Sequence, residues 1–246
     1  MARIRLREPD VDLDSPTLVE GFPGLGLVGK IATDHLVEEL EMRYYASVHC
    51  EELPRIGVYR ADDRAIRPPV RLYVSEEHDL LALQSDAPIT SAAVGDVAEC
   101  LTNWLVDRDV LPIYLSGLPA ERDDRPDLYG VATAGAAEVL ETHDVPVPPE
   151  DGVIAGPTGA LINQAAHLEY GCVGLVVGSS PQFPDPEAAS VLLEEGIGPI
   201  ADVDVDVSSL LERAEEIREQ REAFAQRMQE MSQGESTQAQ PLRMYQ

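Results

Sequence analysis

The stretch from Gly24 to Lys30 contains residue types that could hold a phosphate group. It reads G-L-G-L-V-G-K, which includes a literal G-x-G-x-x-G pattern and ends in the only lysine of the chain. Glycines at this spacing let the backbone approach a pyrophosphate, and the first turn of a following helix points N–H groups at the anion. The candidate ligand residues are Gly24, Gly26, Gly29 and Lys30.

The residues around this turn give evidence both for and against nucleotide binding. Glu51 follows Gly29 by 22 residues, which loosely matches the spacing of about 20 at which the dinucleotide-binding pattern places an acidic residue. However, Glu20 stands in the preceding apolar run, Pro23 interrupts the entry into the first glycine, and Ile31 replaces the hydroxyl residue that a P-loop needs. Two alternatives therefore stay open: a ligand-binding turn, or a glycine turn that only lets a helix pack closely on its strand.

Other residue types that perform chemistry do not form recognisable sets. The sequence contains no G-x-S-x-G nucleophile elbow and no C-x-x-C pair, and its five histidines and three cysteines lack the spacing of metal ligands. The sequence therefore predicts no catalytic residues, no metal and no cofactor. A non-enzymatic protein is the favoured interpretation, and the alternative of an enzyme rests on the glycine turn alone.

The sequence ends in Met244-Tyr245-Gln246, after a polar stretch over 232–241 that has the composition of a disordered spacer. A tyrosine buries a large rigid ring and offers a hydroxyl group, which makes it an effective anchor at protein interfaces. A terminal carboxylate can pair with a basic residue of a partner. The sequence therefore predicts a partner-binding tip formed by Met244, Tyr245 and Gln246.

The elements that must position these residues follow from the hydrophobic pattern. Apolar runs alternate with segments of helical period, which predicts an α/β fold with a mostly parallel sheet and helices on both faces. Runs 70–75 and 79–85 are expected to form a hairpin. The predicted strands cover 17–22, 43–51, 56–60, 70–75, 79–85, 110–118, 129–133, 152–156 and 172–180. The predicted helices cover 27–42, 88–109, 135–142, 158–169 and 185–196.

The segment 208–231 has the pattern of a long helix. It contains no Gly or Pro, begins with a serine that can cap a helix, and carries apolar residues at heptad spacing. Two interpretations fit this pattern: a helix docked on its own domain, and a helix packed against a neighbouring subunit. The residues that recur every seven positions are Leu210, Ile217, Phe224 and Met231.

The charge balance indicates the environment of the protein. Asp and Glu total 45 against 18 Lys and Arg, which gives a net charge of -27. An acidic surface with almost no lysine is typical of proteins from high-salt cytoplasm, where salt screens self-repulsion. Nucleic-acid binding is disfavoured because no basic stripe could neutralise phosphates. The apolar runs are too short to span a membrane, and we expect a cytoplasmic protein.

Two segments together resemble a known family. Residues 20–40 contain the glycine turn, and residues 156–196 contain "GPTGALINQAA" with Asn163 and "PDPEAASVLL" with Asp185. These segments are similar to signatures of the proteasome assembly chaperone family, which is named for the second subunit of the eukaryotic chaperone pair. The resemblance covers about residues 15–200, and the acidic composition suggests a haloarchaeal-type member.

The resemblance implies a three-layer α/β/α body and a homo-oligomeric chaperone that binds proteasome core α-subunits. The final residues fit the hydrophobic-tyrosine-any-residue terminus that such chaperones and proteasome activators insert between α-subunits. The expected organisation is a family domain over 1–207, a C-terminal helix over 208–231 and a flexible tail over 232–246.

Overall fold

In the computed structural model of the chain, residues 1–7, 10–61, 63–120 and 124–217 are described. These residues form one eight-stranded sheet with helices on both faces. The strands are β1 (Arg3–Leu6), β2 (Thr17–Gly21), β3 (Arg43–His49), β4 (Val70–Ser75), β5 (Leu80–Ser85), β6 (Leu111–Pro119), β7 (Leu128–Thr133) and β8 (Cys172–Ser179).

The five helices predicted between residues 27 and 196 lie within a few residues of their expected bounds, and the short helix Gly198–Ala201 was not predicted. A 3-10 turn, Leu25–Leu27, leads into the first helix, and a π-helical turn, Leu192–Ile197, joins the fifth helix to the sixth. The helices are α1 (Val28–Glu39), α2 (Ser91–Val106), α3 (Ala137–Thr142), α4 (Gly156–His167), α5 (Pro186–Val191), α6 (Gly198–Ala201) and α7 (208–217).

The sheet has the strand order β1-β3-β4-β5-β2-β6-β8-β7. Within the described residues, the pairs β2–β5, β2–β6 and β6–β8 are parallel, and the other four pairs are antiparallel. The α/β class with a mixed sheet is confirmed, but the parallel part is smaller than we expected. A tight turn can join only antiparallel strands, and such a turn links β4 to β5 as predicted.

Two hydrophobic cores lie on opposite faces of the sheet and create three layers. Successive side chains of a strand point to opposite faces, so Val19 packs into the core beneath α1 and α5, whereas Leu18 packs into the core beneath α2 and α4. The central strand β2 is buried by helices on both sides. The three-layer α/β/α architecture is therefore confirmed.

Two predicted strands are absent from the described structure. Residues 56–60 make only an isolated bridge between Val58 and Arg67, because β3 already pairs with β1 and β4. Residues 152–155 are irregular, with Val153 95% exposed, and Gly156 already begins α4; no strand forms here because β7 occupies the position beside β8. The sequence reasoning also missed β1, a four-residue edge strand whose arginines face solvent.

The start of the C-terminal helix packs on its own domain. Leu210 is buried in the core that α1 and α5 cover, which supports the docked interpretation for the first turn of α7. The heptad prediction beyond residue 217 and the tail prediction over 232–246 lie outside the described residues. No helix in the described parts of the chain is long and apolar enough to cross a lipid bilayer.

Candidate functional site

The glycine turn between β2 and α1 packs directly on the ends of neighbouring strands. Gly26 has a φ of +62°, and a Cβ atom placed on it would lie 1.9 Å from Oγ of Ser179 at the end of β8. A Cβ on Gly117 of β6 would lie 2.7 Å from the carbonyl oxygen of Leu25. These positions need glycine because backbone passes against backbone and side chain without space for a methyl group.

Asp185 joins the two family-like segments. Its backbone N–H donates to the carbonyl oxygen of Gly26 at 2.9 Å, and its side chain caps α5 by accepting from the Ala188 N–H at 3.1 Å. The same carboxylate accepts from the Ser180 N–H at 2.9 Å and from the Ser179 hydroxyl at 3.2 Å. Asp185 therefore holds the glycine turn, the end of β8 and the start of α5 together.

The single lysine is engaged by carboxylates. Nζ of Lys30 lies 2.8 Å from Oδ2 of Asp34 and 3.2 Å from Oδ1 of Asp86, which follows β5. Asp86 also pairs with Arg60 and with the fully buried Arg71. The sequence reasoning singled out Lys30 as a possible anion ligand, but its partner Asp86 lies 56 residues away and could not be identified from local spacing.

The charges of this cluster stabilise one another. Burial raises the pKa of Asp86, but the nearby Arg71 and Lys30 outweigh burial and hold that pKa below its ordinary value. Arg71 also donates through Nη1 to the carbonyl oxygen of Pro68 at 2.7 Å and through Nε to the Tyr73 hydroxyl at 3.1 Å. The cluster therefore ties β4, β5 and α1 together where β5 ends and β4 begins.

Glu20 is a charged residue type in a fully buried position of β2. Its Oε1 accepts from the Phe22 N–H at 2.6 Å, and its Oε2 accepts from the Thr158 hydroxyl at 3.1 Å. Burial raises the pKa of Glu20 to about 7, although these hydrogen bonds act in the opposite direction. Glu20 looked out of place in the sequence, and Thr158 on α4, its partner 138 residues later, gave no local signal.

The route of the chain after the glycine turn differs from that of a dinucleotide-binding unit. In such a unit, the helix leads to a parallel strand beside the first one. Here α1 leads to β3, which is separated from β2 by β4 and β5 and pairs antiparallel with both of its neighbours. With Gly26 packed on Ser179 and Lys30 paired with Asp34 and Asp86, the geometry favours a packing turn over a phosphate cradle.

The other three predicted signature and turn positions have different surroundings. Gly24 is exposed at the start of the 3-10 turn, and Gly29 is buried in the first turn of α1. Asn163 lies on the exposed side of α4, on the opposite face of the sheet from the core that Asp185 and α5 border. The structure therefore brings Gly26 and Asp185 together but does not bring Asn163 to them.

One cluster with metal-ligand residue types was missed by the sequence reasoning. Ligand atoms of Cys50, Glu52 and Asp96 all lie within 4.8 Å of one another. Burial and the hydrogen bond to Glu52 raise the pKa of the Cys50 thiol, and the amino group of Met1 lies 2.6 Å from Oδ2 of Asp96. A protonated thiol and an occupied carboxylate are poor metal ligands, so this cluster carries no functional assignment.

Comparison with known proteins identifies relatives of nearly full length. The uncharacterized protein MJ0106 of Methanocaldococcus jannaschii is 25% identical over 218 residues, which is 88% of each chain. The crystal structure of Pyrococcus furiosus PbaA, described as an archaeal homolog of proteasome-assembly chaperone, has a TM-score of 0.79 and 25% identity. The similarity covers 96% of this chain and 97% of PbaA.

A second solved structure has the same fold. Pyrococcus furiosus PbaB, described as an archaeal proteasome activator, has a TM-score of 0.77 and 22% identity over 91% of this chain and 98% of its own. The sequence pattern of the PAC2 family matches residues 18–225, which include the glycine turn, Asn163 and Asp185. The chain therefore belongs to the PAC2 family.

Proposed function

We propose that this chain is a non-enzymatic, proteasome assembly chaperone-like protein that binds proteasome core α-subunits. The observation that carries the proposal is its similarity to PbaA over 96% of the chain, together with membership of the PAC2 family. The arrangement around Gly26 and Lys30 is consistent with a scaffold. Both residues are engaged in contacts within the fold, and the proposed role requires no reaction at them.

We further propose that Met244, Tyr245 and Gln246 are the residues that anchor the partner. Support comes from the sequence, where an apolar and an aromatic residue follow a polar spacer over 232–241. One such tail would bind weakly, because ordering a flexible segment opposes association. Several tails on a homo-oligomer would raise the overall affinity through their effective concentration.

A capture experiment with purified cognate α-subunits tests both parts of the proposal. The full chain is immobilised in molar KCl, and bound α-subunits are measured beside a variant truncated after Pro241 and the variants Tyr245→Ala and Tyr245→Phe. We expect the truncation and Tyr245→Ala to reduce capture by about tenfold or more, as for removal of an anchor residue. Tyr245→Phe retains the ring and should keep most of the binding.

The outcomes separate the general function from the tail assignment. Equal capture by the full chain and the truncated variant would refute the role of Met244, Tyr245 and Gln246 and leave the body as the binding surface. Absence of capture by the full chain, with circular dichroism confirming a native fold, would refute the proposed partner itself.

A further inference from the structure

A segment between β3 and β4 leaves the sheet and forms a separate surface, which we call the basic flap (residues 54–61 and 63–69). Its two arms are joined by a single bridge, in which the N–H groups of Val58 and Arg67 each donate to the carbonyl oxygen of the other residue at 2.9 Å. Prolines at 54, 68 and 69 flank the arms. The basic flap therefore adds no strand to the sheet, and strand pairing does not constrain its residue types.

The charge of this segment is opposite to that of the whole protein. The sequence from 54 to 69 carries four arginines and two aspartates, whereas the chain has a net charge of -27. Two of these arginines form ion pairs, Arg67 with Asp63 and Arg60 with Asp86. The exposed Arg55 and Arg64 make no ion pair with any described residue.

Large apolar side chains of the basic flap also face solvent. Tyr59 is 78% exposed, Ile66 is 74% exposed and Ile56 is 48% exposed. Exposing such side chains together is unfavourable unless something covers them, because apolar surface is stabilised by removal from water. Tyrosine and arginine are also the residue types that are enriched at the centres of protein interfaces.

A cavity of about 410 Å³ lies between the basic flap and the end of β3. Its volume falls in the range of roughly 300–1,000 Å³ that is typical of pockets for small ligands, and it could receive one or two apolar side chains. The residues around it are mainly apolar, and they include Val48, Leu53 and Ile66 together with Arg55 and Arg67. The surface thus combines a cavity that can receive an apolar side chain with arginine side chains at its wall.

We infer that the basic flap is a docking surface for an acidic segment of another protein that carries an apolar anchor side chain. The carboxylates of such a segment would pair with Arg55 and Arg64, and its anchor would enter the cavity beside Ile66. A small molecule in the cavity would leave Tyr59 exposed, whereas a peptide segment can cover both features. The inference does not depend on the proposed role of residues 244–246.

Charge disfavours the other occupants. Nucleic acids and anionic bilayers carry negative charge over areas larger than the basic flap and would also meet the acidic surface of a protein of net charge -27, whereas a short acidic segment can contact the basic flap alone. The remainder of this chain, 218–246, contains four arginines and four glutamates, so its side chains carry no net charge and do not form an acidic segment. A symmetric dimer through the basic flap would place the same arginines opposite one another, which is repulsive.

Fluorescence anisotropy with a labelled synthetic peptide tests this inference. The probe alternates pairs of Glu with single Leu residues, and two control peptides replace either every Glu by Gln or every Leu by Ser. The protein variant is Tyr59→Ser/Arg64→Glu. Its matched control is Val153→Ser/Arg5→Glu, which makes the same kinds of change at exposed positions elsewhere and alters the net charge equally.

We expect the probe to bind the full chain, and both control peptides to bind at least about tenfold more weakly, since each lacks one half of the recognition. The flap variant should lose a similar factor, whereas the control variant should stay within about twofold. The experiment uses the lowest KCl concentration at which circular dichroism remains native, because salt screens the charged contacts.

Three results would overturn the inference: no binding of the probe to the full chain, equal binding by the flap variant and the parent, or equal binding of the Gln peptide and the probe. Light scattering of the same proteins adds a fourth. If Tyr59→Ser/Arg64→Glu lowers the mass of the particle in solution, the basic flap binds a second copy of this chain instead of an acidic partner.

Discussion

Replacing Glu20 with Gln should make the stability of this fold less dependent on pH. Glu20 is fully buried in β2, and burial raises its pKa from 4.5 to about 7. Gln has the same size and no charge. Its carbonyl oxygen can accept from the Phe22 N–H, and its amide can face the Thr158 hydroxyl. The variant therefore removes the ionisation while it keeps the shape of the site.

The sign of the effect follows from proton linkage. Below pH 4.5, Glu20 is protonated in both the folded and the unfolded chain, and the fold has its full stability from this residue. As the pH rises through about 7, the folded protein must bury a charge that the unfolded chain exposes to water. The free energy of unfolding falls between pH 4.5 and about 7, where the unfolded chain ionises this residue and the folded protein does not. The total loss is about 3 kcal/mol, because each pKa unit corresponds to about 1.4 kcal/mol.

Urea unfolding at fixed KCl concentration measures this difference, with fluorescence of Trp104, the only tryptophan, as the probe. We expect Glu20→Gln to match the parent at pH 5 within about 1 kcal/mol and to exceed its free energy of unfolding by about 3 kcal/mol at pH 8.5. Glu141→Gln, at an exposed position of α3, is the matched control and should change neither value. A difference between Glu20→Gln and the parent that is the same at both pH values would refute the reasoning.

Three further perturbations test the other clusters. Asp86→Asn leaves the buried Arg71 without its carboxylate and should lower the free energy of unfolding by about 3 kcal/mol in urea titrations; a loss below 1 kcal/mol would contradict this role. Gly26→Ala adds a methyl group against Ser179 at a positive φ and should cost more than about 2 kcal/mol, whereas Gly95→Ala, in an open position of α2, should be neutral or stabilising. Millimolar nucleotides should not shift the melting temperature of the parent or of Lys30→Ala, and a shift in the parent alone would restore the phosphate-binding interpretation of the turn.

Much of the fold could be predicted because its elements carry strong local signals. The apolar stripe through Val97, Leu101 and Leu105 repeats at the helical period, and these three residues are buried on one face of α2. The two predictions that failed came from short apolar runs. "IGVYR" over 56–60 and "GVIAG" over 152–156 have strand-like composition, but a strand also needs an unpaired neighbour, and the edges they would need are occupied by other strands.

The candidate site, like the fold, could be predicted only where the signal was local. The glycines at 24, 26 and 29 predicted a tight turn before a helix, and the structure has such a turn there. Whether that turn binds an anion depends on what surrounds Lys30, and its carboxylate Asp86 comes from a strand end 56 residues later. Such a long-range ion pair cannot be predicted from the spacing of residues along the chain.

The sequence by itself determined the α/β class, the positions of most helices and strands, the acidic charge and the family signatures, because these depend on composition and on periods shorter than two helical turns. Only the tertiary structure decided that Gly26 is a contact for Ser179, that Lys30 is paired, and that Glu20 shares a buried hydrogen bond with Thr158. These outcomes depend on which strands become neighbours, and strand order is set by packing of the whole sheet between its two layers of helices.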